Sequence, residues 1–126
     1  MFVYGSLLPG EPSHGRLSAA ARLGEDRTLP ECSLFDLGDW PALVLVGASS
    51  VRGEVFEVKD SELSELDAFE GHPELFRRER LTLASGREAF VYVFARDIAD
   101  GARVIPSGDW RRWRRTARDD SHPFPE

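Results

Sequence analysis

Short β-prone segments, none longer than eight residues, recur along most of this chain of 126 residues. Glycine, proline and small polar residues separate them, as is typical of strands bounded by turns. About six or seven such segments can be counted, at residues 2–4, 32–37, 42–46, 51–58, 77–83, 88–94 and, more weakly, 103–105. Strands this short and this numerous favour a curved or barrel-like sheet within one small domain.

Helix signals occur at two places between these segments. Ser13 can cap a short helix that ends near residue 21, and residues 60–61 can cap a second one. In the second helix, Leu63 and Leu66 are three residues apart and therefore share a face. The mixed order of strands and helices predicts an α+β fold with two or three short helices.

The domain is predicted to span residues 1–110, and residues 111–126 are predicted to be a charged, loosely ordered tail. Arginines interleave with tryptophans around the boundary, at Arg111, Arg112, Arg114, Arg115, Arg118, Trp110 and Trp113. This segment can be a nucleic-acid-binding patch, or a solvated basic segment whose tryptophans pack on the domain. The net charge of −6 argues against general nucleic-acid binding, so we prefer the second interpretation and expect no nucleic-acid partner.

Other classes of function are disfavoured by what the sequence lacks. It has no apolar run near the ~20 residues that span a membrane and no signal-peptide pattern, so we expect a cytoplasmic protein without a membrane partner. The single cysteine, Cys32, excludes an intrachain disulfide and is interpreted as a core residue. The three histidines lie far apart in the sequence, so no metal site is predicted.

The end of the second predicted helix places a carboxylate where an apolar residue is expected. Glu70 follows Leu66 by four residues and continues its stripe, and Gly71 suits the left-handed position after a helix. Apolar surroundings and a helix C-terminus both disfavour negative charge, which raises a carboxyl pKa from about 4.3 toward neutrality. Such a group can act as a general acid or base. Alternatively, Glu70 turns to solvent or pairs with Arg77 or Arg78.

The turn after the first strand is the natural partner for Glu70. A Gly-Ser pair within residues 4–7 can expose successive backbone N–H groups, which bind a carboxylate or phosphate. Aromatic residues that can line a pocket, or simply belong to the core, are Trp40, Phe69, Phe76 and Tyr92. No nucleophile–base pair or nucleotide-binding loop is recognisable. One base beside an anion-binding loop indicates proton transfer for a substrate that carries its own nucleophile.

Several short motifs follow one another in a fixed order along residues 2–110. They are Phe-Val-Tyr-Gly-Ser-Leu at 2–7, Leu-Gly-Asp-Trp-Pro-Ala-Leu-Val at 37–44, Val-Arg-Gly-Glu-Val-Phe at 51–56, Leu-Asp-Ala-Phe-Glu-Gly at 66–71, Phe-Arg-Arg at 76–78, Ala-Phe-Val-Tyr at 89–92 and Ser-Gly-Asp-Trp at 107–110. In order and spacing they resemble the γ-glutamylcyclotransferase superfamily. The family often has tyrosine where this chain has Trp40 and Phe76.

The resemblance implies a small α+β domain with a mixed β-barrel and an activity that needs no metal or cofactor. Glu70 would be the catalytic acid/base, acting on a small γ-glutamyl substrate to release 5-oxoproline and a free amine. The residues implied in substrate binding are Tyr4, Gly5, Ser6, Leu7, Trp40, Phe76 and Tyr92. The resemblance leaves open the leaving amine and whether the protein is a monomer or a homodimer. A non-catalytic module that binds a small carboxylate or γ-glutamyl metabolite is the alternative.

Overall fold

The computed structural model describes the backbone of residues 1–120 and the side chains of residues 1–116. This part of the chain holds eight strands, two α-helices and one 3₁₀ helix. In chain order they are β1 (Phe2–Val3), the 3₁₀ helix (His14–Leu17), β2 (Ala21–Arg27), β3 (Cys32–Asp36), β4 (Pro41–Ser49), β5 (Arg52–Glu57), α1 (Asp60–Glu70), β6 (Phe76–Thr82), β7 (Glu88–Phe94), β8 (Arg103–Val104) and α2 (Trp110–Asp120). The α+β class predicted from the sequence is confirmed.

The strands form three small antiparallel sheets, with the orders β1-β5-β2, β4-β3-β8 and β6-β7. Strand β7 lies beside β1 and β4, but no hydrogen-bonded ladder joins it to either. Within residues 1–120, therefore, no sheet closes into a barrel, and the expected mixed β-barrel is not found. Side-chain packing joins the sheets, together with one isolated backbone bridge between Thr28 and Leu83 that links the end of β2 to the end of β6.

Buried side chains form two clusters that share the central strands. Because successive side chains of a strand point to opposite faces, β7 contributes Val91 and Val93 to the first cluster and Tyr92 to the second. Around β1, Phe2 likewise belongs to the first cluster and Val3 to the second. These strands are thus buried on both faces, and a short chain gains a core without closing a barrel.

Helix α1 confirms the second helix predicted from the sequence. Leu66 is buried in the second cluster and Leu63 packs against its edge. The carboxylate of Glu62 accepts a 2.7 Å hydrogen bond from the backbone N–H of Lys59, which caps the first turn. Gly71 ends the helix with φ of 67°, in the left-handed region that favours glycine.

The prediction of a helix from Ser13 to residue 21 is wrong after about one turn. Only the 3₁₀ helix His14–Leu17 forms, and the chain then enters β2, which the sequence analysis missed. Strand β2 lies at the edge of its sheet and is mostly exposed, so it lacks the apolar alternation that identifies a half-buried strand. Arg22 of β2 instead forms an ion pair with the buried Glu54 of β5.

The chain after residue 110 also differs from the prediction, because residues 110–120 form helix α2 rather than a loose tail. Trp110 is only 2% exposed and belongs to the first cluster, so the helix starts inside the domain. The remainder of the predicted tail, residues 121–126, lies outside the described residues. No helix among residues 1–120 is long and apolar enough to span a membrane.

Candidate active site

A cavity of about 690 Å³ opens between the loop after β1, the β3–β4 turn, the end of α1 and the β6–β7 hairpin. All eight residues predicted to form the site line it, namely Tyr4, Gly5, Ser6, Leu7, Trp40, Glu70, Phe76 and Tyr92. Phe76 and Tyr92 are buried, whereas Trp40 is 43% exposed. The structure therefore brings the eight residues together around one space.

The loop after β1 is held in place from two sides. The hydroxyl of Tyr4 donates a 2.6 Å hydrogen bond to the carbonyl oxygen of Tyr92, which ties the loop to β7. On the other side, Pro41 lies against Gly5, where an added Cβ would be 2.7 Å from the Pro41 ring. Only glycine fits this contact without a shift of the ring, so it fixes the β3–β4 turn against the loop.

Three consecutive backbone N–H groups of this loop have no hydrogen-bond acceptor among the described residues. The carbonyl oxygens of Gly5 and Ser6 accept hydrogen bonds from the backbone of Leu8 and Ser13, which fold the loop back on itself. The three N–H groups without an acceptor in this part of the chain belong to Gly5, Ser6 and Leu7. Consecutive N–H groups of this kind suit a carboxylate.

Glu70 is the last residue of α1 and lines the cavity with its carboxyl group partly buried. Burial raises the pKa of this carboxyl from 4.5 to about 7, against a smaller, lowering effect of the positive charge of Arg16. Burial also raises the pKa of Tyr4, with a further contribution from the charge of Glu70. Tyr4 and Glu70 border the same cavity.

The ion pair with Arg77 or Arg78 that was the alternative for Glu70 does not form. Arg77 pairs with Glu79, and Arg78 donates to both carboxylate oxygens of Asp67 at 2.9 and 3.1 Å. Within residues 1–116, no salt bridge to the Glu70 carboxylate is found. The carboxyl is therefore left to face the cavity.

Asp67 supports the site, although sequence reasoning did not single it out. Besides Arg78, it accepts a 2.7 Å hydrogen bond from the hydroxyl of Tyr92. Burial alone would raise the pKa of Asp67, but these hydrogen bonds outweigh it and hold the pKa below its usual value. One turn before Glu70, this network fixes α1 to the β6–β7 hairpin. The only sequence signal for this supporting role was that Asp67 is a carboxylate three residues before Glu70.

The comparisons with known proteins decide the family. The family model described as gamma-glutamyl cyclotransferase, AIG2-like, matches residues 1–112. The chain belongs to the gamma-glutamylcyclotransferase family. A Vibrio cholerae relative named "Putative gamma-glutamylcyclotransferase" is 39% identical over 110 residues, which cover 87% of this chain and 93% of that protein.

Two further proteins extend the comparison. The Bos taurus protein named gamma-glutamylaminecyclotransferase is 36% identical over 109 residues, which cover 75% of this chain and 65% of that protein. The crystal structure of the Pyrococcus horikoshii protein PH0828 superposes with a TM-score of 0.79 at 26% identity, covering 97% of this chain and 98% of that one. The fold described above is therefore shared with a solved structure over nearly its whole length.

Sequence reasoning did not identify several residues that line the cavity of this gamma-glutamylcyclotransferase family member. Pro12, Ser13, Asp39 and Arg114 line the cavity, and Arg114 comes from α2, beyond the residues matched by the family model. The sequence signal for helix α2 was the three-residue spacing of Trp110 and Trp113, because residues three apart lie on the same face of a helix. Both tryptophans can then anchor the helix to the domain. Among the described residues, no cluster of His, Cys, Asp and Glu is arranged to hold a metal ion.

Proposed function

We propose that the protein converts a γ-glutamyl amine or amide into 5-oxoproline and a free amine, with Glu70 as general acid/base. One observation carries the proposal: a carboxyl whose pKa burial raises to about 7 lines the same cavity as the N–H groups of Gly5, Ser6 and Leu7. A base with that pKa exchanges protons readily near neutral pH. The N–H groups suit the α-carboxylate of a γ-glutamyl group.

The reaction begins with transfer of a proton from the substrate α-ammonium group to the Glu70 carboxylate. The resulting amine attacks the γ-carbonyl carbon of the same molecule, and a new C–N bond closes the five-membered ring. Glu70 returns its proton to the leaving nitrogen as the original C–N bond breaks, and its carboxylate then carries the second proton from the new ring nitrogen to the released amine. Overall, two protons leave the α-nitrogen and two reach the amine, which departs as an ammonium ion, so no other reagent is consumed.

Most of the rate acceleration is expected to come from holding the substrate folded. The attack is intramolecular, and a well-oriented intramolecular reaction gains about 7–11 kcal/mol over its bimolecular counterpart. In this proposal, the loop anchors the α-carboxylate while the carboxyl of Glu70 lies beside the α-nitrogen. The name of the bovine relative, gamma-glutamylaminecyclotransferase, supports an amine as the leaving group.

The cavity mouth suits a leaving amine with a carbon chain. Trp40 lines the cavity and remains 43% exposed, whereas one face of the Phe69 ring is covered by the guanidinium of Arg16, 3.8 Å from the ring centroid. Exposed aromatic faces at a cavity mouth can cover apolar carbon atoms of a bound molecule. Among candidate substrates, those with an aliphatic or aromatic leaving amine should therefore bind more tightly than γ-glutamyl derivatives of ammonia or methylamine.

The test is incubation with a panel of γ-glutamyl amines and γ-glutamyl amino acids, with 5-oxoproline measured by chromatography. Replacing Glu70 by Gln should abolish product formation while circular dichroism shows the fold intact. Glu65→Gln is the matched control, because Glu65 lies on the same helix, is exposed and does not line the cavity. Full activity of Glu70→Gln would contradict the mechanism.

The same cavity and loop can also serve a protein that binds without turnover. The N–H groups of Gly5, Ser6 and Leu7 favour this second candidate as much as the first, because they bind carboxylate in either case. Calorimetry that detects binding of a γ-glutamyl compound while no 5-oxoproline forms would support the binding module.

A further inference from the structure

We propose that Arg114, on helix α2, is a substrate-contacting residue that binds the α-carboxylate together with the loop after β1. This inference rests on the proposed function and adds to it a residue outside the span of the family model, which ends at residue 112. Arg114 is the one Lys or Arg side chain among the described residues that line the cavity, where the acidic residues are Asp39 and Glu70.

Helix α2 holds Arg114 firmly at the cavity wall. Trp110 anchors the start of the helix in the core, and Arg111 donates a 3.1 Å hydrogen bond to the carbonyl oxygen of Pro9 and another to Glu54. The side chain of Arg114 itself is 32% exposed and ion-paired with Glu11. An arginine held in this way loses little conformational freedom when it binds a ligand.

The position of Glu11 shows which end of the cavity Arg114 serves. Glu11 belongs to the loop after β1 and also accepts a 3.2 Å hydrogen bond from the indole nitrogen of Trp110. In the same loop, the backbone N–H of Ser13 donates to the carbonyl oxygen of Ser6. Arg114 is therefore paired with the same loop that carries the N–H groups of residues 5–7.

The contact with Glu11 leaves donors for a second anion. It uses one terminal nitrogen, Nη1, whereas a guanidinium carries five N–H donors in a planar fork. Arginine is well suited to bridge two carboxylates, since its charge is permanent and its fork matches their geometry. Glu11 then orients Arg114, and the substrate α-carboxylate takes the remaining donors.

The experiment compares two ligands that differ in the carboxylate alone, 5-oxoproline and 2-pyrrolidinone, by NMR titration of the full chain. Wild-type protein should bind 5-oxoproline more tightly. Arg114→Gln should lower the affinity for 5-oxoproline about tenfold, as expected for the removal of one charge-assisted hydrogen bond. The affinity for 2-pyrrolidinone should not change. Arg112→Gln, an exposed position on the same helix that does not line the cavity, is the control and should bind like wild type.

Catalysis supplies a second readout. Arg114→Gln should raise KM about tenfold for every γ-glutamyl substrate and change kcat less than about twofold, because the contact forms in the bound substrate and the transition state alike. A rise in KM confined to substrates whose leaving amine carries a carboxylate would overturn the inference. So would equal affinity of wild type and Arg114→Gln for 5-oxoproline.

Two outcomes separate this inference from the proposed function. If no substrate is turned over but 5-oxoproline binding depends on Arg114, the enzyme proposal fails and the carboxylate site stands. If Arg114→Gln does not fold, the side-chain Nε–H resonance of Arg114 in wild-type protein decides. It should shift on addition of 5-oxoproline and not of 2-pyrrolidinone, and an unmoved resonance would overturn the inference.

Discussion

Replacing Glu70 by Gln should stabilise the fold at alkaline pH, by an amount that the burial of its carboxyl determines. The pKa of Glu70 rises from an ordinary value of 4.5 to about 7 in the folded chain. Since one pKa unit corresponds to about 1.36 kcal/mol, the ionised carboxylate lowers the free energy of unfolding by roughly 3 kcal/mol. Glutamine is nearly the same size and cannot ionise, so it removes this cost.

The direction of this pH dependence follows from whether the folded or the unfolded chain binds the Glu70 proton more tightly. The folded chain has the higher pKa, so the unfolded chain releases this proton first as the pH rises. The cost is absent below about pH 4.5, grows between pH 4.5 and 7, and is complete above pH 7. By the same relation it amounts to roughly 1 kcal/mol at pH 5 and roughly 3 kcal/mol at pH 8.

The assay is urea denaturation of wild type and Glu70→Gln between pH 5 and pH 8.5. The stability of the variant relative to wild type should increase by about 2 kcal/mol from pH 5 to pH 8. Any effect of the substitution on packing is the same at both pH values, so it cancels in this difference. Glu65→Gln, at an exposed position of the same helix, should show no such increase. A relative stability of Glu70→Gln that does not vary with pH would refute the reasoning.

Three further predictions concern the same cavity. The kcat/KM of wild type should rise with pH through about 7 and then level, because protonated Glu70 cannot accept a proton; a flat profile from pH 5 to 8 would contradict this. Arg16→Gln should move that midpoint to higher pH, since it removes the positive charge that lowers the pKa of Glu70; the pH–rate profile measures it, and an unmoved midpoint would count against the assignment. Gly5→Ala should cost about 1–3 kcal/mol in urea denaturation, because its Cβ would be 2.7 Å from the ring of Pro41. Gly15→Ala, where a Cβ meets nothing within 4 Å, is its control, and equal costs for the two variants would disprove the contact.

Local sequence patterns were enough to predict the parts of the site that depend on neighbouring residues. The interval of four between Leu66 and Glu70 places the carboxyl on the buried side of α1, and Gly71 predicts where the helix ends. The Gly-Ser pair one residue after β1 predicts a turn with exposed N–H groups. Each of these signals spans fewer than about five residues, so it is independent of how the sheets assemble.

The parts that sequence reasoning missed depend on partners far apart in the chain. The 99 residues that separate Trp110 from Glu11 leave no local pattern that pairs them. Strand β2 is likewise defined by its pairing with β5, while its own sequence is largely polar and exposed. Whether three sheets close into a barrel depends on distances between strands, which periodicity does not encode. These are the features for which the predictions were wrong or absent.

The attachment of α2 gives this protein a way to change its affinity for substrate without altering its chemistry. The helix reaches the cavity through Arg114 but is anchored elsewhere, by Trp110 in the core and by Arg111 on Glu54. Substitutions on its inner face can therefore add, remove or reverse a charge at one wall while the turn that carries Glu70 stays untouched. For protein engineering, position 114 is a single site at which affinity for substrate can be tuned without touching the helix that carries Glu70.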